Sequence, residues 1–424
     1  MKILIKNGQI VDPAAGVQKE LDLLIEDGKI SEIGRSLKAS GAKEIDAKGK
    51  LVLPGLIDMH AHLREPGRED KETILTGSRA AAKGGFTTVC CMPNTSPCID
   101  SQGVARFIIS EAERAGLIDV RPVGAITKER NGEELSEMAD LKRAGCVAVS
   151  DDGNPVPKAD MMRRALEYAS MMGFVVISHC EDKDLSGIGV MNEGFISTIL
   201  GLRPIPRHAE SFMVERDIRL AELTGAKLHI AHVSTKESVE LIREAKARGA
   251  AVTAETCPHY FTLTDEAVKS FDTNLKVNPP LRTAADVEAI KEGLRDGTID
   301  VIATDHAPHT ENEKDVEFDY APFGMIGFET ALGLVASELV EKKVLDWKGV
   351  AEKMAVNPSK ILGLGKGTLA QGAAADITII DPNKEWQLKR EDILSKSHNT
   401  PFIGRKMTGL VEYTIASGKI IYTS

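Results

Sequence analysis

"GLIDMHAHLRE", residues 55–65, passes from an apolar run into two histidines one residue apart, then an arginine and a glutamate. Side chains on a strand alternate between its faces, so residues two apart point the same way. His60, His62 and Arg64 are therefore expected on one side of a strand that otherwise reads as core. Glu65 alternates to the other face and away from any chemistry there.

Seven further runs of this kind follow: "TTVCCMP", "VRPVGAI", "VAVSDDG", "FVVISHC", "KLHIAHVS", "AVTAETCPH" and "DVIATDHAPH". Helical patterns come after each of the eight, near residues 72–84, 101–115, 133–144, 159–172, 208–224, 235–248, 284–296 and 326–341. Eight βα units within residues 54–365 predict an α/β fold, a TIM (β/α)8 barrel with insertions. The flanks read differently. Residues 1–53 and 366–424 give short strands with Asn-Gly and Asp-Gly turns, and neither end has the apolar surface to fold alone. They are expected to pair into one small β-sandwich domain built from both termini, beside a barrel spanning 54–365.

A formal net charge of -10 argues against nucleic acid as a partner, because phosphate binding needs a basic surface. No signal peptide or membrane-spanning run is visible. The six cysteines (Cys90, Cys91, Cys98, Cys146, Cys180, Cys257) have no CxxC spacing and read as reduced core residues of a cytoplasmic protein. Phosphate loops, nucleophile elbows and dinucleotide fingerprints are missing.

Active sites of TIM barrels lie at the C-terminal ends of the strands. Five of the eight runs end there in metal-ligand residue types: His60 and His62, Asp151-Asp152, His179, His232 and Asp305. Four imidazoles and two carboxylates exceed what one tetrahedral catalytic ion needs, and suit two zinc-like ions sharing a carboxylate. Such a pair activates water and polarises a carbonyl, which is hydrolysis. Asp305 is the natural proton carrier, and Arg64 suits a carboxylate on the substrate. Asn94, Asn278 and His309 sit at other strand ends. In "KLHIAHVS", alternation puts His232 with Ile230 and turns His229 toward the helices. His229, His208 and His398 read as non-ligands, and His259 as support behind a ligand. The stretch "HTENEKDVEFDYAPFGMIG", residues 309–327, reads either as a mobile lid or as a polar βα loop.

Taken together, "PGLIDMHAHLREPG", "GGFTTVCCMPNT", "SDDG", "SHCED", "AHVSTKES", "KVNPPLR", "IATDHAPHT" and "APFGMIGFET" resemble the bacterial class I dihydroorotases of the amidohydrolase superfamily, over nearly the whole chain. The resemblance implies His60, His62 and Asp305 on one Zn2+, His179 and His232 on a second, and Asp152 bridging, with Asp151 the alternative bridge. Many relatives bridge with a carbamylated lysine, and this chain has none at the matching place. The resemblance further assigns the substrate's α-carboxylate to Arg64, Asn94 and His309, with Asn278 and the Phe323-Gly324 backbone reading the ring. His62 would also touch substrate. The implied reaction is reversible cyclisation of N-carbamoyl-L-aspartate to L-dihydroorotate, a step of pyrimidine synthesis, by a hydroxide held between the two ions with Asp305 as general acid and base. A homo-oligomer and association with aspartate transcarbamoylase go with it. Two rival readings are another cyclic-amide hydrolase, which the missing lysine disfavours, and a non-catalytic scaffold, which the full ligand set disfavours.

Overall fold

The computed structural model describes residues 2–424. Eight strands form its centre: Leu56–Ala61, Phe86–Cys91, Asp119–Pro122, Val149–Ser150, Val176–Ser178, Leu228–Ile230, Val252–Thr256 and Val301–Ile302. The first three pair in parallel, as do the last five. Parallel bridges Gly124↔Val149 and Ala61↔His306 join the two groups at both seams, so the strands run as a ring. Every residue of Leu56–Ala61 and Phe86–Cys91 is buried. Parallel strands covered on both faces read as largely apolar, and the polar members here are buried with partners, Asp58 Oδ1 accepting from Thr304 N at 3.2 Å.

Local chemistry sets the helices around the ring. Helix Ile74–Lys83 starts at Thr73, whose hydroxyl accepts from Thr76 N at 3.1 Å. A Cβ at Gly77 of this helix would lie 2.6 Å from Leu63 Cδ2, so a larger residue there would push the buried Leu63 side chain aside. The helices Ala159–Met171, His208–Thr224, Lys236–Ala247 and Ala284–Asp296 fall where their periodicity placed them. The third is shorter than expected, Met138–Ala144. Asp151 accepts from Ile126 N, Thr127 N and Thr127 Oγ1 at 2.8, 3.0 and 2.5 Å, which organises residues 126–136 as a turn before the helix can begin. The last runs Phe328–Val335 and continues with wider π-type bonding over Ala336–Val340.

The terminal strands Lys2–Asp12, Val17–Glu26, Lys29–Gly34, Lys43–Asp46, Leu51–Pro54, Ile377–Gln387, Lys406–Ala416 and Lys419–Thr423 share one mixed sheet. Leu51–Pro54 pairs with Ile377–Gln387, so the two chain ends meet in it. Its core gathers Ile3, Ile5, Leu23, Ile25, Val52, Ile377, Ile379 and Ile415. Asp27-Gly28 makes a hairpin turn with both residues left-handed, φ 49 and 79. Asn7-Gly8 does not: the strand continues through it as a bulge, with Asn7 at φ 60 and the register shifting between Ile5 and Gly8.

Two features were not legible in the sequence pattern. Residues 183–206 form an insertion over one side of the ring, with helices Lys183–Ser186 and Phe195–Leu200 and a ribbon of Met191–Asn192 with Pro204–Ile205. Residues 388–405 leave the terminal sheet and pack on the ring's C-terminal rim, where Asn399 Oδ1 accepts from His309 N at 3.0 Å. Among the described residues no helix is long and apolar enough to cross a membrane.

Candidate active site

At the C-terminal ends of the ring strands lies a cavity of about 280 Å³ lined by His62, Arg64, Asn94, Asp152, His179, His232, Asn278, Asp305, His309, Phe323 and Gly324. His60 lies behind it, fully buried, with Nε2 3.2 Å from Asp152 Oδ1. The candidates named from the sequence, Asp151 excepted, thus come to one place, although they are spread over some 260 residues.

The route by which they arrive differs from simple alternation. The first strand ends at Ala61, and Arg64 lies beyond it at φ 62. In the sixth strand Leu228 and Ile230 pack with Val214, Ile218 and Val239 against the helices. His229 therefore turns into the ring, not toward the helices as the alternation argument has it, and meets Glu255 Oε2 at 3.2 Å. His232 reaches the cavity because the chain has left the strand and passes through φ 34. Asp305 does the same at φ 48. Left-handed backbone at non-glycine residues is costly and collects where function over-determines it.

Asp152 is the hub. Its Oδ1 lies 3.2 Å from His60 Nε2, 3.6 Å from His179 Nδ1 and 3.6 Å from His232 Nε2, and its Oδ2 is 3.5 Å from His62 Nε2. Asp305 Oδ1 lies 3.0 Å from His62 Nε2 and 3.6 Å from His60 Nε2. Asp151 points away, its carboxylate spent on Ile126 and Thr127, so Asp152 is the aspartate that faces the histidines.

The outer ring nitrogens are held. His60 Nδ1 meets Glu255 Oε1 at 2.5 Å, His62 Nδ1 meets Asn94 Oδ1 at 2.8 Å, and His179 Nε2 meets Glu181 Oε2 at 3.1 Å. Acceptors behind three histidines hold their protons outward and leave lone pairs facing Asp152, an arrangement typical of metal sites. Two inner atoms lack partners: His60 Nε2 and Asp152 Oδ1 are buried without a hydrogen bond, and on the outer side His232 Nδ1 is also unpaired. Unpaired buried polar atoms are expensive unless something outside the chain completes them.

Charge points the same way. Asp152, Asp305, Glu255 and Glu181 bring four carboxylates close together. Burial opposes the charged form of His60, but Asp152 and Glu255 outweigh it and hold the ring well above its usual range. Burial likewise opposes ionisation of Asp152, and His60, His179 and His232 reverse that, holding it well below the usual carboxylate range. A site that draws protons onto imidazole in this manner suits cations. The groups His60, Asp152, His232 and His60, His62, Asp305 each place one donor atom per residue close enough to hold a metal ion. His259, buried without a partner on Nε2, is pushed down to about 4 by burial and stays neutral.

Opposite the carboxylates the wall is basic. Arg64 Nε donates to Pro308 O at 3.0 Å, and its Nη2 lies 3.2 Å from His309 Nε2. Burial and Arg68 push Arg64 down to about 10, still charged at neutral pH. His309 is held well below its usual range by burial and by Arg64. Gly324, at φ 128, brings its backbone beside it, where a Cβ would meet Ala307 Cβ at 2.7 Å.

Residues that the sequence reading missed are Glu181, Lys183 and Glu255. Glu181 stands two positions past His179, so a same-side search beyond the strand end would have found it; Glu255 carries no local signal.

A family model described as dihydro-orotase-like matches residues 49–238. The chain is 61% identical to the dihydroorotase of Pelotomaculum thermopropionicum, covering 99% of this chain and 98% of that one. It is 58% identical to the dihydroorotase of Geotalea daltonii, covering 100% and 99%. Among solved structures it is similar to a D-hydantoinase, with TM-score 0.85 and 27% identity over 99% of this chain and 95% of the other. It is also similar to the L-hydantoinase (dihydropyrimidinase) of Arthrobacter aurescens, with TM-score 0.87 and 25% identity over 99% and 95%. The fold is shared with the hydantoinases, but identity at this level along the full length goes with the first group, and the chain belongs to the dihydroorotase family.

Proposed function

We propose that the chain is a dihydroorotase, interconverting N-carbamoyl-L-aspartate and L-dihydroorotate in pyrimidine synthesis. The observation that carries this is one cavity with metal-ligand side chains around Asp152 on one side and Arg64, Asn94 and His309 on the other. His60, His62 and Asp305 would hold one Zn2+, His179 and His232 a second, and Asp152 would stand between them. Bound there, such ions polarise an amide carbonyl and make water acidic at neutral pH.

The chain's own groups do the rest. Arg64 offers a planar fork for a carboxylate, and Asn94 offers its amide nitrogen, since its oxygen is taken by His62. Neutral His309, with Nε2 2.9 Å from Phe323 O, adds a polar contact without a second charge. In the hydrolytic direction Asp305 takes a proton from the attacking water and delivers it to the ring nitrogen as the C–N bond breaks; cyclisation runs the same path backwards. A carboxylate suits both directions because it can take the proton and give it back, and His62 Nε2 at 3.0 Å holds it over the cavity.

For quaternary structure the reading is a cytoplasmic homo-oligomer associating with aspartate transcarbamoylase. Exposed Ile188, Phe195, Ile199 and Phe212 on and beside the insertion support self-association. The substrate is tested by incubating zinc-loaded protein with L-dihydroorotate and with hydantoin in parallel. Turnover of dihydroorotate at least about a hundredfold faster is expected, on the scale of a lost carboxylate contact; preference for hydantoin would assign the chain to the other cyclic amide hydrolases.

A further inference from the structure

The cavity contains a buried carboxylate that the reaction above leaves without a task. Glu181 Oε2 lies 3.1 Å from His179 Nε2, 2.9 Å from Asn278 Nδ2 and 2.5 Å from Lys183 Nζ. Paired with the Lys183 ammonium, it stands as a carboxylate. An ionised carboxylate only accepts, and each of its three partners must therefore donate.

Two consequences follow from that one-way chemistry. A neutral His179 carries its proton on Nε2, leaving the Nδ1 lone pair toward Asp152 Oδ1 at 3.6 Å and His232 Nε2 at 2.8 Å. Asn278 has its amide nitrogen committed to Glu181, which leaves its carbonyl oxygen as the free end. Asn94 is turned the other way, its oxygen 2.8 Å from His62 Nδ1 and its nitrogen free. The two asparagines thus present opposite polarities to one cavity: a donor beside Arg64, and an acceptor beside Glu181.

We propose that Glu181 is a positioning residue that sets the polarity of this wall: through Asn278 it makes the wall accept an N–H of the cyclic amide, and through His179 it keeps a lone pair toward Asp152. Lys183 balances the charge from the solvent side, where its own side chain is 47% exposed. The proposal rests on the dihydroorotase reading for its substrate but makes a separate demand on the chain. A carboxylate this close to an anionic substrate costs affinity unless it does something that a neutral residue cannot.

The test is a cycle of Glu181→Gln, Asn278→Asp and the double variant, with Zn2+ affinity measured by chelator competition alongside KM and kcat for dihydroorotate. Glu181→Gln brings a donor that frees Asn278 to flip. Its KM is expected to rise about tenfold with kcat changed less than about threefold, and Zn2+ affinity to fall about tenfold, the usual effect of losing an outer partner of a ligand histidine. Asn278→Asp alone sets two carboxylates together and should also raise KM. The double variant moves the charge across the pair while keeping an acceptor at 278, so its KM is expected within about threefold of the parent. Should Glu181→Gln alone fail to fold, the same step in the Asn278→Asp background must lower KM. Unchanged KM and Zn2+ affinity in Glu181→Gln, or losses that multiply in the double variant, overturn the role of Glu181. An unaltered protein that does not hydrolyse dihydroorotate overturns the functional reading instead.

Discussion

Asp305 shows how a single residue can be named from sequence and yet be understood only in three dimensions. Its type and its place at the end of the eighth strand marked it as ligand and proton carrier. The left-handed backbone at φ 48 and the 3.0 Å contact with His62 Nε2, which hold its carboxylate over the cavity, leave no trace in one sequence. Asp305→Asn should lower kcat about a thousandfold while KM moves only a few-fold, because a proton carrier acts in the transition state. Steady-state kinetics on metal-replete protein checks this, and near-normal kcat would remove Asp305 from the role. Arg64 enters the cavity by a route other than alternation: it is past the strand, and a turn brings it in. Arg64→Lys should raise KM about tenfold with kcat largely kept, since a point charge replaces a two-bond fork. Unchanged KM would mean that the substrate's charge is held elsewhere.

At the scale of elements, strand and helix positions were legible because period and turn chemistry agree, while the departures came from long-range hydrogen bonds. Asp151 is the clearest case: a residue just past the fourth strand delays a helix that begins before it in sequence. Residues 309–324 are another. Lys314 Nζ donates to Thr273 O and Pro322 O at 3.1 and 2.7 Å, and Lys276 Nζ to Phe318 O and Asp319 O at 2.9 and 3.0 Å. Two ammonium groups thus clasp the loop onto residues 273–276. Burial pushes Lys276 down to about 8 and Lys314 down to about 7, from an ordinary 10.5. An undocked loop would bind more protons than the docked one between those values and the ordinary one, so docking strengthens as pH rises from about 7 to about 10 and is weakest below 7. Hydrogen exchange of amides 311–323, corrected for intrinsic rates, should report opening several-fold more favourable at pH 6 than at pH 9. Equal protection at the two values would show that the lysines do not control the loop.

Across the whole molecule, a ring of βα units with a β layer from both termini followed from counting patterns, and the cavity followed from knowing which end of a parallel strand carries chemistry. What counting could not supply is closure and cross-talk. Residues 388–405 return from the terminal sheet to the rim, where Ser395 Oγ bonds to Glu72 and Asn399 Nδ2 donates to Ala307 O at 3.0 Å. Glu72 in turn meets His306 Nε2 at 3.3 Å, next to Asp305. The C-terminal segment therefore supports the site, a link between residues more than 300 positions apart that no local period encodes. On the proposed reading, Asp152, Asp305 and the four histidines make a two-metal centre for dihydroorotate chemistry. Its most direct test is titration of metal-free protein with Zn2+ while dihydroorotate hydrolysis and bound metal are followed together. Activity rising to a plateau at two equivalents per chain is the predicted result; full activity at one equivalent, or two bound ions with no turnover of dihydroorotate, would contradict it.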